Sequence, residues 1–181
     1  MKKNIKIISV VILSLVALLY SITGKNSPEG GNAEENLIRV ERVHDGDTLT
    51  AIVGNRREKI RLIGIDTPEM GQRPWGRKAK EHLENMIASS SWQVIIEYDV
   101  EKRDKYNRIL SYIWTRDGKM VNKEMLRSGY AILFTFPPNV KHVEEFVSVE
   151  TEAREKKRGI WSKSGLKQRP YDYRKEHPRK N

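Results

Sequence analysis

The chain has 181 residues, room for one domain with a sizeable core and short extensions at either end. Its formal net charge of +10, from 34 Lys and Arg against 24 Asp and Glu, favours a polyanionic partner over a cationic one. There is no cysteine, which excludes disulfides, thiolate metal sites, thiol nucleophiles and a lipid-modified cysteine, and leaves any metal to oxygen or nitrogen donors.

In chain order, Lys2, Lys3 and Lys6 precede an apolar run from Ile7 to Ile22, the layout of an export signal. Neither Ser21 with Thr23 nor Ile22 with Gly24 makes a good small-residue cleavage site, and the run falls short of the ~20 residues of a full bilayer span. Residues 1–24 therefore read as a signal peptide or an N-terminal membrane anchor, with cleavage left open. In either case the protein is expected to be exported, and secreted or tethered through residues 7–22 to the outer face of the cytoplasmic membrane. Residues 25–36, rich in Gly, Asn, Ser and Glu, read as a linker.

The fold is expected over 37–163. Leu37–Val43 and Thr48–Val53 have strand character and are separated by the turn-forming Asp45–Gly46; Gly54–Asn55 turns into a third strand over 58–65. A Gly- and Pro-containing loop spans 67–76 and includes Trp75, either a stacking platform or a lid over the barrel edge. Ala79, Leu83, Met86 and Ile87 predict an amphipathic helix over 76–89. Strands are predicted over 92–98 and 109–115, with a polar stretch between them and Asp117–Gly118 as the next turn. Val121, Met125 and Leu126 mark a short helix stopped by Gly129, and Tyr130–Phe136 is apolar. The last helix is predicted over 142–157, burying Val143, Phe146 and Val147 and closed by Gly159.

Strands and helices in this order predict an α+β fold, a five-stranded β-barrel covered by about three helices, with no internal repeat. Residues 164–181 form a basic tail. From Lys167 onward it adds six bases and two acids, and it reads as a solvated extension lending salt-sensitive affinity for nucleic acid.

Three clusters carry the chemistry: His44-Asp45-Gly46-Asp47-Thr48, the run from Arg61 to Glu69, and Asp104-Lys105-Tyr106-Asn107-Arg108. Each alone has an ordinary structural reading as a hairpin corner, a strand exit or a solvated loop. Together they supply Asp47, Asp66 and Glu69 as hard oxygen donors and Arg61 and Arg108 as permanent cations, a set suited to phosphate and a hard divalent cation such as calcium. Arg61 lies within the apolar run Ile60, Leu62, Ile63, Ile65 and needs a reason to be there; snorkelling to the barrel rim is the plain one. Glu69, just after Pro68, is placed to accept a proton from water attacking phosphorus. His44, His82, His142 and His177 show no zinc-like spacing.

The ordered series Asp-Gly-Asp-Thr, Arg-Leu-x-x-x-Asp-Thr-Pro-Glu, Asp-Lys-Tyr-x-Arg, Gly118-Lys-Met-Val-Asn122 and Gly159-Ile-Trp161 resembles the staphylococcal nuclease-like (thermonuclease) family over residues 37–161. The resemblance implies an OB-fold barrel and a calcium-dependent endonuclease acting on DNA and RNA, single-stranded or locally melted, leaving 3′-phosphate products and working as a monomer. It implies Ca²⁺ ligation by the carboxylates of Asp47 and Asp66 and the carbonyl of Thr67, Glu69 as general base or water-orienting group, and Arg61 and Arg108 on the scissile phosphate. Lys105 and Tyr106 match positions that contact substrate phosphate. Phe134 and Phe136 stand where the best-known member has two tyrosines, which keeps stacking at the nucleotide pocket and removes the hydroxyl hydrogen bonds. Asn107 replaces a Gly, and Asn tolerates left-handed backbone. The rival reading is a catalytically silent OB-fold module that binds nucleic acid at the cell surface; retention of Glu69 and Arg108 argues against it.

Overall fold

The computed structural model describes residues 37–178. The signal peptide or anchor read over 1–24, the linker over 25–36 and the last three residues of the tail lie outside the described residues.

Five strands, of which β6 is buried along its whole length, close into a barrel in the order β1-β2-β3-β6-β5: β1 (Leu37–Val43), β2 (Thr48–Val53), β3 (Arg56–Leu62), β5 (Gln93–Glu97) and β6 (Ile109–Thr115). All pairs are antiparallel except β3 with β6, where Arg61 faces Leu110 in a parallel register. Closure leaves the barrel itself without a free edge. Four α-helices lie among the described residues: α1 (Trp75–Ser89), α2 (Val121–Arg127), α3 (Val143–Glu155) and α4 (Pro170–Glu176), with a 3₁₀ turn at Gly159–Trp161. This is the α+β OB-fold barrel that the sequence predicts, with one more helix, α4, in the tail.

The third strand does not run unbroken to residue 65. Gly64 sits at φ +78°, and a Cβ there would lie 2.5 Å from Cε2 of Phe146. A side chain would be both strained and in collision, so only glycine serves. The chain turns at this point, and β4 (Gly64–Asp66) leaves the barrel to pair with β7 (Ile132–Phe134), Asp66 opposite Ile132. That break carries Asp66 out of the barrel wall to its rim.

Leu49, Ile60, Leu62, Leu83, Ile87, Ile113, Met125 and Leu126 are fully buried in one core, with Ala79, Leu83 and Ile87 of α1 sealing one end. On α3 the buried stripe is Phe146, Val149, Glu150 and Ala153, while Val147 is 46% exposed. At 100° per residue, positions 146, 149, 150 and 153 share a face that 147 leaves. Helix α3 ends at Glu155, with Lys157 rather than Gly159 as the first left-handed residue after it. Trp75 is packed away rather than presented as a stacking platform: it is buried with Ile132 and Ile160 in a second cluster, apart from the barrel core, against which Leu166 packs. Packed structure thus continues past residue 163.

Glu97 ties the barrel to the start of α3. Its carboxylate accepts hydrogen bonds from Trp114 Nε1 (2.7 Å) and Lys141 Nζ (2.7 Å) and meets His142 Nε2 at 3.0 Å. Burial alone would push its pKa up, but the bonds from His142, Lys141 and Trp114 prevail and hold it at about 2, below the ordinary 4.5. A carboxyl lowered on folding stabilises the fold above its unfolded pKa, and that stability is lost as pH falls through the interval down to the folded value. Stability is therefore expected to drop between pH 4.5 and 2, and Glu97→Gln should flatten that segment of the stability–pH curve. Parallel curves for the two proteins in chemical denaturation would refute this.

Candidate active site

The β1–β2 turn is held by its own side chains. Asp47 N–H donates to Asp45 Oδ1 (3.1 Å), and Asp47 Oδ1 accepts from Thr48 Oγ1 (3.1 Å). Asp47 Oδ2 accepts from both the amide (3.0 Å) and the hydroxyl (2.8 Å) of Thr67, while the Asp47 carbonyl accepts from Leu62 N (2.8 Å). The first acidic cluster is thereby locked onto the strand exit that carries the second. Asp47, Asp66 and Thr67 are all buried.

Arg61 has the reason its apolar setting demands. The antiparallel register places it opposite Thr48, and its Nε lies 3.3 Å from Asp47 Oδ1 and its Nη2 3.6 Å from Asp66 Oδ1. Nη2 also donates to the carbonyl of Ile65 (2.9 Å) and Nη1 to that of Leu62. These bonds fix the guanidinium plane between the two acids, so it is not simply snorkelling to the rim.

The pocket carries more negative charge than its setting favours. Burial, and then the charge of Asp47, raises Asp45 to about 6. Burial raises Asp66 as well, with Asp47 adding to the shift against the pull of two arginines. Among the described residues no three His, Cys, Asp or Glu converge into a ready-made ion cage. The donors present are instead the two buried carboxylates of Asp47 and Asp66 beside the buried Thr48 and Thr67, a hard-oxygen set of the kind that suits a hard divalent cation. His44, half-buried and 2.8 Å from Thr50 Oγ1, is lowered by burial and by Arg42, Lys59 and Lys80.

Glu69 follows Pro68 on the same loop. Its amide donates to Gln72 Oε1 (2.9 Å) and its carbonyl accepts from Gln72 N (2.8 Å). The third cluster is also preformed: Asp104 Oδ1 accepts from the amides of Tyr106 (3.0 Å) and Arg108 (2.9 Å), and Asp104 Oδ2 binds the Arg108 guanidinium at 2.7 Å. Asn107 adopts φ +62°, the left-handed backbone expected of it. Parallel pairing of β3 with β6 brings this loop alongside the strand that bears Arg61.

Direct contacts thus unite Asp47, Arg61, Asp66 and Thr67. Lys105 and Arg108 lie near the face of the exposed Tyr106 ring, with Lys105 Nζ 5.1 Å and Arg108 Cζ 5.6 Å from its centroid. Phe134, half-buried, pairs with Gly64 two positions from the Asp66–Ile132 pair, whereas Phe136 is 70% exposed.

One participant escaped sequence reasoning. The tail does not remain a solvated extension: Pro170–Glu176 is helical, and Arg174 Nη1 donates to Asp66 Oδ1 (2.9 Å) and to Glu69 Oε1 (2.9 Å) while Nη2 donates to Asp66 Oδ2 (3.0 Å). Gln72 Nε2 reaches the carbonyl of Gln168 (2.8 Å). Gly71 is fitted to Tyr173 so closely that a Cβ would stand 2.2 Å from the phenol oxygen. A signal was present: Pro170 at the first helical turn, followed by Tyr171 and Tyr173, is a composition that a purely electrostatic tail does not need. Asp45, half-buried in the same turn, was already part of the first cluster, and only the structure shows its carboxylate accepting the Asp47 amide.

A sequence model described as staphylococcal nuclease homologue matches residues 59–163, more than half of the chain. The chain is 32% identical over 172 residues to a protein named thermonuclease from Staphylococcus hyicus, covering 90% of this chain and 99% of that one. It is 31% identical over 175 residues to the thermonuclease of Staphylococcus intermedius, covering 90% and 100% respectively. Against endonuclease YncB of Bacillus subtilis it is 34% identical over 135 residues, 71% of this chain but only 63% of that protein. A model match over more than half of the chain, with relatives 31–32% identical over nearly their whole length, shows that the chain belongs to the staphylococcal nuclease homologue family.

Proposed function

We propose that this protein is a calcium-dependent nuclease that hydrolyses phosphodiester bonds of DNA and RNA, single-stranded or locally melted, as a monomeric endonuclease leaving 3′-phosphate ends. The observation that carries the reading is the Arg61 guanidinium fixed between the buried carboxylates of Asp47 and Asp66, a permanent cation beside desolvated hard-oxygen donors. The names of the relatives, thermonuclease and endonuclease, support the same substrate class.

Asp47, Asp66 and the Thr67 carbonyl would hold the cation. When bound, it supplies positive charge to a phosphate oxygen and to the attacking water. Glu69 takes the proton of that water or orients it. Arg61 and Arg108 bind the scissile phosphate and meet the charge that grows as the attacking oxygen bonds to phosphorus and the bond to the 5′ oxygen breaks. Arg108 must exchange its bond to Asp104 for one to phosphate, and a charged acceptor of equal reach makes that exchange inexpensive. Lys105 and Tyr106 contact neighbouring phosphate, and Phe134 and Phe136 offer ring faces for base stacking. The charged and apolar stretch from Lys2 to Ile22 supports export, with the enzyme secreted or tethered by residues 7–22.

The test is cleavage of single-stranded DNA, duplex DNA and RNA with calcium, magnesium or chelator, beside Glu69→Gln. Calcium-dependent cleavage, reduced roughly 10²–10⁴-fold in the variant, is the expected result. Binding without cleavage under every condition would favour the silent nucleic-acid-binding module.

A further inference from the structure

We infer that helix α4 is an intramolecular latch: its Arg174 occupies the cation's place at Asp66 and Glu69, and must be displaced before a divalent cation and attacking water can enter. The inference rests on the reading of Asp66 as a cation ligand and Glu69 as the water-handling acid.

Three bonds of 2.9–3.0 Å from one guanidinium engage both oxygens of Asp66 and one of Glu69. A planar fork on a carboxylate satisfies both oxygens in a single geometry, which a divalent cation at the same carboxylate contests by charge and by volume. The Asp66 side chain is 3% exposed, so little water screens that contest.

The helix reaches the site through built contacts. Pro170 is buried, Gln72 on the Glu69 loop donates to the Gln168 carbonyl, and the Tyr173 phenol rests on Gly71. The Tyr173 ring stacks on His177 at 4.1 Å, stiffening the short helix at its end. Yet the latch is light: α4 has seven residues and Pro170 is the buried residue among them. Such a segment stays in place through Arg174 more than through apolar burial, and can therefore be released by a competitor for the acids.

If the closed form dominates without metal, the apparent dissociation constant of the cation is raised by the inverse of the open fraction. Removing Arg174 removes that handicap. A neutral substitution also deletes one positive charge, so Lys175→Gln is the control: Lys175 is exposed on the same helix, with its Nζ over the Tyr171 ring at 4.5 Å and away from the acids.

The experiment is titration of the full-length chain, Arg174→Gln and Lys175→Gln with calcium chloride by calorimetry, with thermal melts of each in chelator and in saturating calcium. Arg174→Gln should bind calcium roughly tenfold tighter or more than the parent, and Lys175→Gln should match the parent. The melting temperature of Arg174→Gln should fall below the parent's in chelator, where buried acids lose their counter-ion, and the gap should narrow in calcium. Equal or weaker binding by Arg174→Gln would overturn the latch and make Arg174 a support of the metal site. A tenfold gain in Lys175→Gln as well would reduce the effect to long-range charge and overturn it too. Binding by neither parent nor variant would sink the calcium reading itself along with the latch, whereas binding confined to Arg174→Gln would establish both.

Discussion

Arg61→Gln is expected to lower turnover by roughly 10²–10³ with the barrel intact, the loss typical when a preorganised charge aimed at a developing oxyanion is removed. The guanidinium is held by the carbonyls of Leu62 and Ile65 and by the two acids, so its position is set before substrate arrives and no reorganisation is needed during reaction. Glutamine can keep one of the carbonyl bonds, limiting structural damage, but carries no charge. Because phosphate gains charge only on the way to the transition state, the loss should fall mainly on kcat rather than KM. Steady-state cleavage kinetics, with circular dichroism to show a native fold, decide it. A folded variant with parental turnover would remove Arg61 from the reaction.

Asn122→Ala should cost about 2–4 kcal/mol of stability, the consequence of orphaning buried backbone groups. Asn122 is fully buried on α2; its Oδ1 accepts from Ile113 N (3.0 Å), and its Nδ2 donates to the carbonyls of Ile63 (2.9 Å) and Ser111 (3.4 Å). One side chain thus satisfies the peptide groups of β6 and of the break between β3 and β4. Alanine takes that partner from Ile113 N and the Ile63 carbonyl in an apolar interior, while the Ser111 carbonyl still accepts from Ile63 N (3.1 Å). Since Ile63 immediately precedes Gly64, the break that carries Asp66 to the rim should loosen as well. Urea denaturation showing a loss below about 1 kcal/mol would mean that the strands re-form their bonds without α2.

Much of the site was legible because its parts are local. Asp45 and Asp47 share a turn, Asp66, Thr67 and Glu69 share a strand exit, and Asp104 to Arg108 close their own loop, so short motifs already place each group near its neighbours. An arginine among Ile60, Leu62 and Ile63 likewise marked a position in need of a reason, and the structure gives it Asp47 and Asp66 as partners. The errors fell where periodicity is blind to neighbours. Val147 has the apolar character of a buried residue, yet sits off the stripe that Phe146 begins. The strand predicted over 58–65 breaks at Gly64 because Phe146, more than eighty positions away, fills the space a side chain would need.

The tail shows the same limit in its sharpest form. Six bases against two acids describe a solvated, phosphate-seeking extension, and composition offers nothing against that reading except Pro170 and the tyrosines around it. By itself the sequence determined the strand and helix periods, the donor set of acids and arginines and the barrel class, since these depend on side-chain chemistry repeated over a few residues. Tertiary structure alone decided which cation those acids meet in this state. Arg174 is 108 positions from Asp66, and only chain closure over that distance sets a guanidinium within hydrogen-bonding reach of a buried carboxylate.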